Sequence, residues 1–318
     1  MQKRKLGKNG PELTTIGFGA WAIGGAWLYG WGEQDDDTSI KTIREGLDLG
    51  INCIDTAAVY GLGHSEEVVA KAIAGNRDNV FIATKCGLVW NSKGRTRFNS
   101  DPVSIRSQVE ESLKRLKTDY IDLYQIHWPD PKTPVEKSWE VMTKLKEEGK
   151  VRCIGVSNFD VSLLEKCLQI SHVDSLQPQY NLLTRDIEGD ILPYCEQNGI
   201  GVIAYSPMLS GLLTGKFNIA KVAKDDWRKY GEQFKEPNLT KNLNFVESLK
   251  PMAQKYGKTV GQLAIAWVLK HSAVTSAIVG ARHPDQVKEN VRAVDFEIEK
   301  EDILKLDELS GSFLDTAK

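Results

Sequence analysis

Eight short apolar runs, each followed by a segment of helical period, recur along the 318 residues of this chain. They are "TTIGFG" near 16, "INCID" near 53, "NVFIATK" near 82, "YIDLYQIH" near 124, "VRCIGVSN" near 154, "SLQPQY" near 177, "GVIAYS" near 203 and "SAIVGAR" near 279. Such alternation predicts parallel strands joined by right-handed helical crossovers. Between the runs, Ile40, Ile43 and Leu47 share one helix face, as do Ile105, Val109, Leu113 and Leu116. Asp101-Pro102 reads as a cap followed by a first-turn proline, and Thr133-Pro134-Val135-Glu136 as a capping box. A polar residue ends each of several runs: Asp55, Lys85, His127, Asn158, Gln177, Tyr205 and Arg282. In an open sheet these would be spread along an edge. In a closed barrel they form one ring, at the rim where barrel enzymes hold their chemistry, so the expected fold is an α/β (β/α)8 TIM barrel.

No repeat, low-complexity tract or linker divides the chain, and residues 1–318 are expected to form one domain. "KRKLGKNGPELTT" holds two short strands about an N-G-P turn, a hairpin ahead of the first barrel strand. Residues 206–240 break the rhythm with a loop too long for an ordinary connection, and loops of that length are usually functional or mobile. Two short helices are expected between that loop and the last strand, with further helix at the C-terminus.

The net charge of −2 comes from well-mixed signs, which leaves no electrostatic footprint for nucleic acid or an anionic membrane. No apolar run approaches the ~20 residues that span a bilayer. The N-terminus has no apolar signal core, and the five cysteines are odd in number and widely spaced. A reduced, cytoplasmic protein is expected. His64, His172, His271 and His283 have no partners at ligand spacing, so no metal site is expected. Cys86 adjoins Lys85, but a buried structural thiol suits it better than a reactive one.

The stretch "NCIDTAAVYGLGHSE" puts a carboxylate at a strand end and a phenol five residues later. Lys85 closes a nearly apolar strand, and a buried ammonium needs a counter-charge. Asp55, on the adjacent strand, is the natural partner. Such a pair beside Tyr60 is expected to favour phenolate and pull the phenol below its usual value of about 10. His127 would orient a carbonyl oxygen. Spacing alone also suits a structural ion pair with an unrelated tyrosine and a core histidine.

The motifs "DTAAVYGLGHSEE", "ATKCG", "DLYQIHWPD", "GKVRCIGVSNF", "LQPQYNLL", "AYSPMLSGLLTGK" and "GARHPDQVKEN", in that order, resemble the aldo-keto reductase superfamily over essentially the whole chain. Within it, the branch of bacterial general stress and inositol-related reductases is the most similar. The resemblance implies a catalytic set of Asp55, Tyr60, Lys85 and His127. Tyr60 would give a proton to the carbonyl oxygen while a nicotinamide delivers hydride to carbon. It also implies that Ser157, Asn158 and Gln177 hold the carboxamide and Tyr205 stacks on the ring. Ser206, Gly211 and Lys216, in the long loop, would cover the pyrophosphate. Gly280, Arg282, Gln286 and Asn290 would meet the adenosine end.

Where many of the superfamily carry a Lys-Ser pair, this chain has Gly280-Ala281-Arg282. Arg282 is then the main candidate for a ribose phosphate, which favours NADP(H) as cofactor, with NAD(H) also admissible. "GLLTGKF" lacks the full phosphate-loop pattern, and no G-x-G-x-x-G follows a strand. Aromatic residues crowd the loop after the first strand. Trp21 and Trp128 lie nearest in sequence to the catalytic strand ends, so they join Tyr60 and His127 as substrate contacts. The expected function is NADP(H)-dependent reduction of aldehyde, ketone or sugar carbonyls. The alternative is a nucleotide-binding redox sensor or regulatory subunit with little turnover. Oligomeric state is not legible.

Overall fold

Each of the eight apolar runs forms a strand of one closed parallel barrel. In the computed structural model, which describes residues 1–224 and 226–317 (side chains through Phe313), the chain opens with an antiparallel hairpin, β1 (Lys3–Lys5) and β2 (Glu12–Thr14). The barrel strands follow as β3 (Ile16–Gly19), β4 (Cys53–Asp55) and β5 (Phe81–Cys86). A small hairpin, β6 (Leu88–Trp90) and β7 (Thr96–Phe98), stands at the mouth. The barrel continues with β8 (Ile121–Ile126), β9 (Val151–Ser157), β10 (Ser175–Gln177), β11 (Gly201–Tyr205) and β12 (Val274–Gly280), which closes on β3.

The intervening helices are α1 (Asp36–Asp48), α2 (His64–Ala72), α3 (Pro102–Leu116), α4 (Val135–Glu147), α5 (Val161–Leu168) and α6 (Ile191–Asn198). They lie outside the barrel and cover strands that are buried on both faces, which is why those strands read as unbroken apolar runs. The N-terminal hairpin plugs the far end: Leu6 and Leu13 are fully buried against Cys53, Leu123, Ile203 and Ile278. Burial of each such leucine contributes about 1.5–3 kcal/mol. Arg4 fastens the hairpin by donating to the carbonyls of Leu269, His271 and Val274.

Asp101 caps α3 as expected, its carboxylate accepting from Val103 N with Pro102 in the first turn. The capping box expected at 133–136 does not form. Pro134 stands at the cap position, and Thr133 Oγ1 donates instead to Asp130 Oδ2 at 2.9 Å. Asp130 also accepts from the backbone of Ser100 and Lys132, so the nearby carboxylate wins the hydroxyl. A complete box occurs at Thr259 and Gln262, ahead of α8 (Val260–Leu269).

The helix before it, α7 (Asn238–Lys255), has 18 residues and contains Pro251, so the expectation of two short helices fails for the first. The long connection after β11 winds through short single turns and meets α7 at Asn238. Two helices end the chain, α9 (Pro284–Val291) and α10 (Lys300–Ala317). Among the described residues, no helix is long and apolar enough to cross a membrane.

Asp302 of α10 accepts from Tyr256 Oη at 2.6 Å and pairs with Lys255, pinning α10 to the end of α7. The hydrogen bond from Lys255, then that from Tyr256, depresses its carboxyl to about 2. A carboxyl depressed by folding stabilises the native state above its unfolded value near ~4, and that contribution is lost as the pH falls through the native value. Asp302→Asn is therefore expected to have a lower Tm at pH 7 and a shallower fall of Tm between about pH 4 and 2. Thermal scans across that range check this; parallel curves for the two proteins would contradict it.

Candidate active site

The C-terminal strand ends open into one cleft of about 1350 Å³. Every residue expected in a catalytic, cofactor or substrate role lines it except Lys85, which lies beneath Tyr60. Parallel pairing brings these ends to one level: Gly19 is in register with Asp55, Lys85 with Gln125, and Gln177 with Ser157.

Tyr60 reaches this level through a single tight turn after β4. Gly61 has φ +60, and a Cβ there would stand 1.9 Å from the carbonyl oxygen of Gly24. The glycine lets the Tyr60 loop press on the loop after β3, which carries Trp21. Trp21 stacks on the Tyr60 ring with centroids 5.8 Å apart, and His127 meets the same ring edge-on at 5.7 Å.

Lys85 is 1% exposed. Its Nζ lies 2.8 and 2.7 Å from the two Asp55 oxygens, 2.8 Å from the carbonyl of Thr56 and 3.3 Å from Tyr60 Oη. Gln177 Nε2 donates to Asp55 Oδ1 at 2.7 Å, so the carboxylate is held by two side chains. One part of the sequence reading is overturned here. Burial, and then the charge of Asp55, holds the Tyr60 phenol well above its ordinary value rather than below it. Asp55 offsets Lys85 as seen from the phenol, and desolvation of phenolate then dominates. Burial also lowers Lys85, against the raising charge and hydrogen bond of Asp55. Burial and the nearby Lys85 push His127 well below the usual histidine value, so its imidazole is neutral at pH 7.

The next strand ends form a second network. Tyr205 Oη donates to Asn158 Oδ1 at 2.9 Å, and Asn158 Nδ2 donates to the His127 carbonyl and to Ser157 Oγ. Asn158 has φ 61, in the left-handed region that asparagine tolerates better than most residues. Ser157 Oγ donates to the Gln177 carbonyl at 2.7 Å.

The long loop contributes Ser206, whose carbonyl accepts from Asn181, and Gly211 at φ +93. Lys216 is mostly exposed and pairs with Glu289 of α9. At the far end, Gln286 accepts from Arg282 N, Asn290 donates to the Gly280 carbonyl, and Arg282 turns its guanidinium toward residues 31–34. Trp128 stands at the rim, 41% exposed.

Residues outside the sequence reading also build this site. Trp227 stacks on Trp21 with centroids 6.2 Å apart, so that Tyr60, Trp21 and Trp227 form a stack of three rings. Arg228 pairs with buried Asp226 at 2.6 Å and lies over the Trp31 ring. Gln262 lines the cleft and donates to the Glu289 carbonyl. For Trp227 and Arg228 the signal in the sequence is an aromatic and a cation within "DDWRKYGEQF", in a segment without periodicity. Cys86 is buried, and its thiol is pushed up to about 12 by burial, as a structural cysteine would be. Among the described residues, no three His, Cys, Asp or Glu side chains cluster as metal ligands.

A closed parallel barrel with a buried Tyr–Lys–Asp cluster at one end of a long polar-rimmed cleft defines a (β/α)8-barrel enzyme. The aldo/keto reductase family model matches residues 15–310. The aldo-keto reductase YhdN of Bacillus subtilis (strain 168) is 43% identical over 292 residues, 91% of this chain and 87% of that protein. The NADH-specific methylglyoxal reductase of Escherichia coli (strain K12) is 38% identical over 330 residues, 98% of each. Among solved structures, the glycerol dehydrogenase AKR11B4 from Gluconobacter oxydans superposes with a TM-score of 0.88 at 40% identity, covering 98% of this chain and 95% of that one. The chain belongs to the aldo/keto reductase family.

Proposed function

We propose that this protein reduces aldehyde, ketone or sugar carbonyls with NADP(H), and that Tyr60 is the proton donor. The observation that carries this reading is Lys85 Nζ, 3.3 Å from Tyr60 Oη within a buried Lys85–Asp55 pair. Because burial keeps the phenol protonated at neutral pH, Tyr60 has a proton to give. As that proton leaves, the oxygen gains negative charge opposite the Lys85 ammonium. Lys85 thus acts on the developing phenolate more than on the resting phenol. Neutral His127 offers a hydrogen bond to the carbonyl oxygen without adding charge.

The cleft exceeds the ~300–1,000 Å³ of an ordinary small-molecule pocket, which suits an extended cofactor together with substrate. Ser157, Asn158 and Gln177 supply amide and hydroxyl groups that match a carboxamide, and among the described residues Gln177 Oε1 accepts no hydrogen bond. Tyr205 would present its ring to the nicotinamide. The 206–240 segment, through Ser206, Gly211 and Lys216, would lie over the pyrophosphate, while Gly280, Gln286 and Asn290 would surround the adenosine. The dinucleotide, when bound, supplies the hydride.

Arg282 favours the phosphorylated cofactor, although one relative at 38% identity is named NADH-specific. Arg282→Ala is expected to weaken NADPH by about 10–100-fold, the scale of a lost charged hydrogen bond, and NADH by less than about threefold. Equal losses in titrations with both cofactors would remove the assignment. For the function itself, a panel of carbonyl compounds with NADPH and NADH, followed by absorbance, is expected to show carbonyl-dependent oxidation of the cofactor. Tight dinucleotide binding without such turnover would favour a sensor or regulatory subunit instead.

A further inference from the structure

Arg282 is a half-buried cation whose side-chain hydrogen bonds all go to neutral acceptors. Its Nε donates to Gln34 Oε1 at 2.7 Å, its Nη1 to the Trp31 carbonyl at 3.1 Å, and its Nη2 to the Glu33 carbonyl. Among the described residues it has no carboxylate within 4.0 Å. Arg228, the other guanidinium at this end of the cleft, is already matched by Asp226. Three neutral acceptors orient the Arg282 fork, and the nearby charges of Arg228 and Asp226 act on it in opposite directions. Of its five N–H groups, one on each terminal nitrogen remains for an incoming anion.

Gln34 is the one side chain among those acceptors. It grips Arg282 twice, since its Nε2 also donates to the Arg282 carbonyl at 3.0 Å. Both halves of the amide are therefore used, which neither a carboxylate nor an apolar side chain can reproduce. Gln34 is itself held in place. The next residue, Asp35, caps α1, its carboxylate accepting from Thr38 N at 2.7 Å. Gln34 thus immediately precedes the capped start of α1.

We infer that Gln34 is a positioning residue that fixes the Arg282 guanidinium at the edge of the cleft, and so sets how strongly this protein prefers a 2′-phosphorylated dinucleotide to its unphosphorylated counterpart. The inference rests on the proposed role of Arg282. A neutral clamp keeps full attraction for a phosphate. Glutamate at position 34 would face Nε with a counter-charge, cancel much of that attraction, and lose the bond to the Arg282 carbonyl. Methionine would remove the clamp without adding charge.

The test is equilibrium binding of NADP+ and NAD+, read by quenching of tryptophan fluorescence, for the unaltered protein, Gln34→Glu, Gln34→Met and Arg282→Ala. The ratio of the two dissociation constants is expected to shift against NADP+ by about 10–100-fold in Arg282→Ala. A shift of about tenfold is expected in Gln34→Glu, and a smaller one in the same direction in Gln34→Met. Affinity for NAD+ is expected to stay within about threefold throughout, which also shows that each variant is folded. An unchanged ratio in both Gln34 variants, with the ratio lowered in Arg282→Ala, would overturn the inference and leave the role of Arg282 standing. An unchanged ratio in Arg282→Ala would remove that role and the inference with it.

Discussion

Tyr60→Phe is expected to lower turnover by about 10²–10⁴-fold while leaving dinucleotide affinity within about threefold, the scale of removing a general acid. The phenyl ring keeps the stacking against Trp21 and the edge contact with His127, so the wall of the cleft is preserved. Lys85 loses its contact with the phenol but keeps both Asp55 oxygens and the Thr56 carbonyl. What disappears is the phenol oxygen that lies 3.3 Å from the ammonium. Single-turnover kinetics with saturating NADPH, alongside a binding titration, separate these effects. Near-normal turnover in this variant would refute the role given to Tyr60.

Lys85→Met is expected to cost activity and also about 3–5 kcal/mol of stability, because it strands the buried Asp55 carboxylate. Among the described residues, Gln177 Nε2 would remain as the side-chain donor to that group. The double variant Lys85→Met with Asp55→Leu is expected to recover most of the lost stability, since apolar residues of similar volume can replace a buried pair at little cost. It is expected to remain inactive, with nothing left to receive the charge that forms on the phenol oxygen. Chemical denaturation and turnover measured on both proteins distinguish the two roles of the pair. A double variant as unstable as the single one, or one that regains activity, would contradict this account.

The strands were readable because a parallel barrel buries them on both faces, so each appears as an apolar run ended by a polar residue. Asp55, Lys85 and His127 stood out for that reason, and register in the barrel does bring their strand ends together. Local motifs were less secure. The hydroxyl of Thr133 had a helix to cap and a carboxylate at Asp130 within reach, and only the folded arrangement shows which it takes. The Tyr60 phenol lies above its ordinary value, opposite to what a Lys85–Asp55 pair beside it suggests, because burial outweighs a charge that Asp55 already offsets.

Periodicity, turn residues and the order of motifs were enough to specify a (β/α)8 barrel, a rim of polar strand ends and membership in a reductase family, since these follow from patterns along a single strand, helix or loop. Matters that depend on distances across the cleft lay beyond such patterns. Trp227 over Trp21, Arg228 on Trp31, and Arg282 gripped by a glutamine 248 positions away in the chain all join segments with no common period. Hydrogen bonds and stacking act over a few ångströms and charges over a Debye length of roughly 8–10 Å, so residues far apart in sequence decide the charge state and aim of a group only once the barrel has closed around them.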